Sequence, residues 1–326
     1  MEFAVSLVRR IAWIAGDHDM IGTLRRWFRE CGLLEAIRHH DDGVIFGWLA
    51  EAISYQGVSD RVASQYIEQH GMVTAQELEK GLGRKGLCPK LGSYWRFEGC
   101  GYQKDSRSCN EPEHYRRCPL PRHDLRNGSL NQAAYSLHFF MRDVAGGDFV
   151  EWLDERLAAA DDLNVSVRAQ RMRDAVVEPL LHVHGVSHKV LNMTLACLLL
   201  GGDVRRKRWQ TAGAVMIAVD TLVHNWMWRS GLLQRLGALH PYGAACYGNR
   251  GCAWIIELLS REIDATEFCE AYPAYFPRFV QHAIWAFCAA SESNQCNGNN
   301  IDDRERCELS DCPLFEECDR VRLGPD

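Results

Sequence analysis

The residues of this chain best suited to chemistry are its cysteines, of which there are 14 in 326 residues. In a reducing compartment a disulfide framework is not expected, and clustered thiols are typical of metal or iron–sulfur ligation. Eight of them cluster in two groups of four. The mid-chain group is Cys88, Cys100, Cys109 and Cys118, and the C-terminal group is Cys296, Cys307, Cys312 and Cys318.

The mid-chain group lies in a segment, from about Gly81 to Asn127, that is rich in Gly, Pro and Arg and poor in aliphatic residues. Such a segment has too little apolar content for a core of its own, which predicts a metal site, iron–sulfur or zinc. His114 or His123 could replace one thiolate; the alternative is four unrelated cysteines. The other cysteines are interpreted as small buried hydrophobes: Cys31, Cys197, Cys246, Cys252, Cys269 and Cys288.

A second candidate is the segment His184–Lys189, which precedes the strongly apolar stretch Val190–Leu200. A turn here would join two helices and expose backbone N–H groups at the start of the second, where they could bind a phosphate. Gly185 would permit close approach of the phosphate. The alternative is an ordinary helical corner. His182 and His188 lie near His184, but the turn accounts for these residues and no metal site is predicted from them.

The third candidate is Asp220, in the segment Ile217–Thr221 that opens a helix over Leu222–Arg229. An isolated Asp at a helix start is normally an N-cap. Its position after the Gly-Val-x-x-Lys turn at residues 185–189 favours a role beyond capping.

The elements that position these residues are predicted to be helices joined by short loops. Apolar residues recur at helical spacing and no stretch alternates with period two, so the fold class is all-α. Five segments carry the clearest helical pattern: Ile45–Ile53, Ala133–Val144, Val190–Leu200, Leu222–Met227 and Phe279–Phe287.

Composition and charge narrow the class of protein further. The hydrophobic fraction of 47% excludes disorder over most of the chain. No stretch approaches ~18 uninterrupted apolar residues, so no membrane span is expected. Arg9 and Arg10 interrupt the apolar N-terminus, unlike a secretory signal, and a cytoplasmic monomer is expected. The net charge of −6 does not indicate nucleic-acid binding over the whole surface, although one basic face would suffice.

The turn and the aspartate together resemble the helix–hairpin–helix DNA glycosylase superfamily, which includes endonuclease III-like enzymes. That family has a Pro-Gly-Val-Gly-x-Lys hairpin and a Val-Asp-[Thr/Val] segment. The resemblance implies that Asp220 and Lys189 are catalytic, although Lys189 could instead contact only phosphate. His184 stands where the motif has proline, and Ser187 stands where it has its second glycine. The detailed contacts with phosphate are therefore expected to differ from those of the family. The implied DNA contacts of the hairpin are Gly185, Val186, Ser187 and His188.

The resemblance extends to both ends of the chain. Gln56, in Ser-Tyr-Gln, would fill the space left by a flipped base, or would be a surface amide. The C-terminal group keeps the order of the family's [4Fe–4S] motif and one of its intervals, while zinc is the alternative. The implied fold has two lobes, 1–44 with 221–326 and 45–220, the latter interrupted by the cysteine-rich insertion 81–127.

The cysteine-rich insertion resembles a divergent branch, that of the α-glutamyl/putrescinyl thymine pyrophosphorylase-like proteins and of antiviral glycosylases of hypermodified phage DNA. A basic segment, Gly201–Gln210, is interpreted as a loop in which Arg206 and Lys207 would contact DNA or would simply be solvated.

The function implied by this resemblance is excision of a modified pyrimidine, such as a glucosylated hydroxymethyl base, from double-stranded DNA, with an associated AP-lyase activity and an anti-phage role. The alternatives are group transfer in thymine hypermodification, general base-excision repair, and a non-catalytic DNA-binding iron–sulfur protein.

Overall fold

The computed structural model describes residues 1–54, 60–122 and 129–324, and these residues are predominantly helical. The predicted all-α class is confirmed. In chain order the described helices are α1 (Glu2–Ala15), α2 (Met20–Glu30), α3 (Leu33–His39), α4 (Asp42–Ser54), α5 (Asp60–His70), α6 (Ala75–Leu82), α7 (Tyr94–Phe97), α8 (Pro112–Tyr115), α9 (Ser129–Phe139), α10 (Phe149–Ala159), α11 (Val165–Leu180), α12 (His188–Gly201), α13 (Lys207–Ala214), α14 (Thr221–Arg229), α15 (Leu232–Arg235), α16 (Cys252–Arg261) and α17 (Pro277–Cys288).

The five segments with a helical apolar pattern lie on α4, α9, α12, α14 and α17, with a π-helical turn, Phe140–Val144, extending the second of them. The described sheet is one short antiparallel pair, β1 (Tyr102–Gln103) and β2 (Ser108–Cys109), within the cysteine-rich insertion. The short 3-10 turns are Pro89–Gly92, Leu120–Arg122, Ala244–Tyr247 and Ala265–Glu267.

The chain divides into two compact units. The terminal unit comprises Met1–Leu24 and Gly213–Asp326, and the central unit comprises Arg25–Ala212. The sequence analysis places the corresponding boundaries at residues 44 and 220.

In the terminal unit α17 is the central helix, against which α1, α14 and α16 pack. Helix α1 buries an apolar stripe at helical spacing, including Leu7 and Ile11. Helix α17 is buried along most of its length, including Phe279 and Ile284, and α14 contributes Trp226. This core fixes both ends of α14.

In the central unit α4 packs against α9 and α12, and α10 packs against α11. The cysteine-rich insertion docks onto this core through aromatic side chains. The Phe97 ring lies 5.2 Å from Phe139, and the Tyr94 ring lies 5.5 Å from Phe140, both edge-on. The insertion therefore has no core of its own but shares that of the central unit.

The structure corrects the interpretation of Gly201–Gln210 as one continuous loop. Helix α12 extends to Gly201 and α13 begins at Lys207, so the connection is only five residues long. Lys207–Gln210 is helical because Trp209 is fully buried, which ties this turn to the core.

Across the described ranges, no helix is both long enough and apolar enough to cross a bilayer.

Candidate functional site

The predicted turn joins α11 to α12 through residues 181–187. Gly185 has a φ of +70°, a left-handed conformation that side chains with a Cβ rarely adopt. The Val186 N–H donates to the Val183 carbonyl at 3.2 Å, which closes the turn. Ser187 is extended, and its carbonyl accepts from the Leu191 N–H at 2.9 Å, which starts α12. The geometry is that of a tight helical hairpin.

His184 fastens this turn to the rest of the central unit. Its backbone N–H donates to Ser136 Oγ at 3.1 Å, and its Nε2 lies 3.1 Å from the Phe97 carbonyl oxygen. Its ring also packs edge-on against Phe97 at 5.4 Å. The imidazole, which stands where the glycosylase motif has proline, thus connects the turn to the cysteine-rich insertion.

The predicted DNA-contacting residues differ in how far they are exposed. Lys189 is half-buried in the first turn of α12, and the neighbouring His188 is exposed. Lys207 is exposed at the start of α13. Gln56 lies outside the described residues, as does His123.

The basic segment is largely neutralised by nearby carboxylates. Arg205 pairs with Asp203, and this contact holds the pKa of Asp203 down at about 2. Arg206 pairs with Asp154 and also lies over the Trp209 ring at 5.1 Å. These contacts give Arg206 a role in holding α13 on the core, and its DNA contact stays a prediction.

A second basic side chain of this segment is also paired. Arg208 Nε lies 2.7 Å from a carboxylate oxygen of Asp161. The segment is therefore less positive than its sequence suggests.

Asp220 lies where a buried extended segment meets α14. Residues 215–219 are buried, the Ala218 N–H donates to Gln281 Oε1 at 3.4 Å, and the Val219 N–H donates to Tyr247 Oη at 2.9 Å. Asp220 Oδ1 then accepts from the Val223 N–H at 3.0 Å. The carboxylate is therefore an N-cap, which is the usual role of an Asp at the start of a helix. The hydrogen bonds of Ala218 and Val219 fix the backbone before Asp220 and so fix the direction of its side chain.

The terminal unit brings together four side chains that their sequence spacing does not connect. They come from α14, the loop and 3-10 turn that follow α15, and the first residue of α16: His224, His240, Cys246 and Cys252. Their ligand atoms all lie within 4.8 Å of one another. His224 Nδ1 is 3.5 Å from Cys246 Sγ and 3.4 Å from Cys252 Sγ, and His240 Nε2 is 3.3 Å from Cys252 Sγ. This His2Cys2 group could hold a metal ion.

Cys246 and Cys252 are buried, as the sequence predicts, but their surroundings are not purely apolar. Both are fully buried, but each thiol faces imidazole nitrogen. Hydrogen bonds from the Cys252 thiol and from His224 lower the pKa of the Cys246 thiol, against the effect of burial. The sequence signal was weak because the four ligands span 29 residues without a Cys-x2-Cys pair.

A glycine before Cys252 is needed for this arrangement. A Cβ on Gly251 would lie 2.4 Å from the Ala245 carbonyl oxygen and 2.5 Å from that of Cys246. The backbone of the turn that carries Cys246 thus passes directly against the start of α16, which brings the two thiols together.

The C-terminal cysteine group gathers around Arg229, the last residue of α14, which is 1% exposed. Arg229 Nη1 donates to Cys296 Sγ at 3.1 Å and Nη2 donates to the Asp303 carboxylate. The Arg229 carbonyl accepts from the Cys318 thiol at 3.6 Å. Arg229 therefore contacts three residues of the C-terminal segment: its guanidinium binds Cys296 and Asp303, and its carbonyl binds Cys318.

The thiols of this group interact with one another electrostatically. A hydrogen bond from Cys288 and the charge of Arg229 lower the pKa of Cys296 to about 7, in spite of burial. Burial raises the pKa of Cys318 to about 11, with contributions from Cys296, Cys312 and Cys307. The four predicted thiols are thus near neighbours, and Cys288 lies beside them.

The mid-chain group is also brought together. The pKa of Cys118 is raised to about 11, mainly by burial and in part by the charges of Cys100, Cys109 and Cys88. In each case the backbone N–H two residues further along donates to the sulfur. The donors are Lys90, Tyr102, Glu111 and Leu120.

Two sulfurs of the C-terminal group accept the same type of bond, Cys312 from Leu314 and Cys318 from Arg320. Such N–H···S contacts suit a thiolate, which is a stronger acceptor than a thiol. The repeated geometry would suit thiolate ligands of a metal or cluster.

We predict that Arg229→Met lowers the free energy of unfolding by up to about 3 kcal/mol, because it leaves buried sulfur and a carboxylate without their cation. Chemical denaturation measures the change. The matched control is Arg235→Met, which removes an exposed, solvent-screened pair with Asp319 and should lower the free energy of unfolding much less. Equal losses in the two variants would contradict the central role of Arg229.

Comparison with known proteins adds no relative: no family model, curated protein or solved structure matches this chain.

Proposed function

We propose that this protein is a DNA glycosylase that flips a modified pyrimidine out of double-stranded DNA and cleaves its N-glycosidic bond. The observation that carries the proposal is the placement of Asp220. Its carboxylate is held at the start of α14 by the Val223 N–H, after a buried segment whose own N–H groups are bonded to side chains. A carboxylate fixed in this way suits stabilisation of positive charge on a sugar.

The hairpin supports DNA as the substrate. The left-handed Gly185 lets the backbone turn sharply just before α12. The N-terminus of α12 presents the positive end of a helix dipole, which favours a phosphate. Lys189, half-buried in the same turn, adds a positive charge.

The reaction follows from these groups. Extrusion of the base exposes the C1′–N bond and costs a few kcal/mol. As that bond breaks, its electron pair leaves with the base and the sugar becomes oxocarbenium-like. The Asp220 carboxylate stabilises the sugar cation and accepts a proton from the water whose oxygen bonds to C1′.

Lys189 supplies the associated lyase step of the proposal. After base loss, Nζ condenses with the C1′ aldehyde of the abasic sugar, forms a Schiff base and releases water.

We assign a [4Fe–4S] cluster to Cys296, Cys307, Cys312 and Cys318. Arg229 would balance part of its negative charge, and the Nε of Arg229 is buried without a hydrogen-bond partner among the described residues, so it can donate to an anionic group. In the described residues only the His2Cys2 group converges on one point. A [4Fe–4S] cluster does not need such convergence, because each thiolate binds a different iron. The cluster would be structural, since four protein thiolates fill its ligand set.

The mid-chain group would hold a second iron–sulfur centre or zinc through Cys88, Cys100, Cys109 and Cys118. Its four N–H···S contacts support bound thiolates and do not distinguish the two metals.

The central prediction is that Asp220→Asn lowers base release by roughly 100–1000-fold while DNA binding is kept. Asn is also a good N-cap, so α14 should remain intact. The measurement is mass spectrometry of bases released from plain, hydroxymethylated and glucosylated duplexes. We expect release of the modified pyrimidine to exceed that of ordinary or damaged bases by ~100-fold.

The matched control is Asp264→Asn, another aspartate N-cap, which accepts from the Thr266 N–H at 2.9 Å in the terminal unit. This variant should release bases at the wild-type rate. Wild-type turnover by Asp220→Asn would exclude Asp220 from catalysis, and no release from any duplex by the wild type would overturn the proposed function.

A second prediction separates base release from strand cleavage. Borohydride should trap the wild-type protein covalently on DNA, because it reduces the Schiff base to a stable amine, and Lys189→Ala should abolish this trapping. Lys189→Arg keeps the charge for phosphate contact and should bind DNA like the wild type without being trapped. Undiminished trapping of Lys189→Ala would assign the amine to another residue.

The cluster assignment predicts a brown protein that contains iron. Cys312→Ser should lower the absorbance near 400 nm and the iron content by about four atoms per chain. Cys31→Ser, which changes an exposed cysteine outside all the groups, should leave both unchanged. A colourless wild type containing only zinc would contradict the iron–sulfur assignment.

A further inference from the structure

The His2Cys2 group of the terminal unit is not used by the proposed reaction and has no counterpart in the motifs that suggested it. Three of its sulfur–nitrogen distances are 3.3, 3.4 and 3.5 Å. Tetrahedral zinc with Zn–S of about 2.3 Å and Zn–N of about 2.05 Å requires sulfur and nitrogen to be about 3.6 Å apart. The ligand atoms are therefore spaced for one ion at their centre.

The chemistry of the donor set selects the ion. Two sulfur and two imidazole nitrogen ligands suit zinc, whereas calcium and magnesium prefer oxygen. The sulfurs are fully buried and His224 is 5% exposed, so water has little access to the group. Cys252 is also the first residue of α16, where the helix dipole favours a thiolate.

We propose that His224, His240, Cys246 and Cys252 bind one structural Zn²⁺, which fastens the segment 240–252 to the start of α14. Four protein ligands leave no position for a reacting water, so the ion is not catalytic. Without the ion, this turn-rich segment, in which Tyr242 is exposed, would be less firmly held.

The ion is close to Asp220 through two short connections. The His224 N–H donates to the Asp220 carbonyl at 3.0 Å, so one ligand lies in the first turn of the helix that Asp220 caps. Tyr247 follows the ligand Cys246 directly, and its hydroxyl accepts from the Val219 N–H at 2.9 Å. Zinc would thus stabilise the backbone on both sides of Asp220, at Val219 before it and at His224 after it. This consequence rests on the proposed function, whereas the metal site itself does not.

Elemental analysis of the purified full-length protein tests the site. We expect Cys246→Ser and His224→Ala each to lose one zinc per chain relative to wild type, while iron and brown colour are kept. Cys312→Ser should show the reverse, with iron lost and this zinc kept. Cys31→Ser should match the wild type in both metals.

Cobalt substitution gives a readout that does not depend on activity. Protein prepared with Co²⁺ should show the intense visible bands of tetrahedral cobalt and a thiolate charge-transfer band, and the intensity of one cobalt per chain should be lost in Cys246→Ser but kept in Cys31→Ser. Where a variant does not fold, X-ray absorption of the cobalt-loaded wild type still decides whether imidazole nitrogen and sulfur ligate the metal together, and an absence of nitrogen ligands would overturn the site. Unchanged zinc in both ligand variants, or a Cys246–Cys252 disulfide in the wild type, would overturn the site.

The link to Asp220 has its own test. Variants that lose this zinc but remain folded should release bases at least ~10-fold more slowly at saturating DNA, with DNA affinity unchanged, because the carboxylate is less well positioned. Zinc loss without any change in base release would overturn the positioning role and leave the metal site intact. A wild type that binds zinc but releases no base would refute the proposed function alone.

Discussion

Helix α14 is the element on which the rest of the terminal unit depends, because it carries three different functional side chains along its length. Asp220 caps its start, His224 faces two thiols from its first turn, and Arg229 ends it among the C-terminal cysteines. A helix is rigid over nine residues, so these groups keep fixed distances from one another. Packing of α14 against α17 then fixes the whole set in the unit.

In the C-terminal segment, contacts of cysteine sulfur take the place of the apolar packing that the sequence does not supply. The C-terminal segment has few large apolar residues, and Arg229 holds it through sulfur, carboxylate and backbone partners. A buried guanidinium is costly unless each partner is present. Bound metal would stabilise this segment further by folding it around thiolates, as metal binding does for small domains with little core.

The cysteine-rich insertion shows a different solution in the central unit. Its aromatic side chains share the core of α9, and Phe97 also supports His184 in the hairpin turn. The insertion therefore shapes the proposed DNA-contacting turn as well as gathering four cysteines. Its thiols accept backbone N–H bonds in the same way as Cys312 and Cys318 of the C-terminal group, an arrangement that suits the ligand role proposed for both groups.

The sequence by itself determined the all-α class, the helical turn at Gly185, the N-terminal position of Asp220 on its helix and the two four-cysteine groups, because these depend on local spacing and helix periodicity. Only the tertiary structure decided that Arg206 pairs with Asp154 and that His224 and His240 meet Cys246 and Cys252. Those contacts join residues well separated in the chain, and the second of them depends on a close backbone approach at Gly251. Local patterns do not encode them, because it is the packing of helices that sets which distant side chains meet.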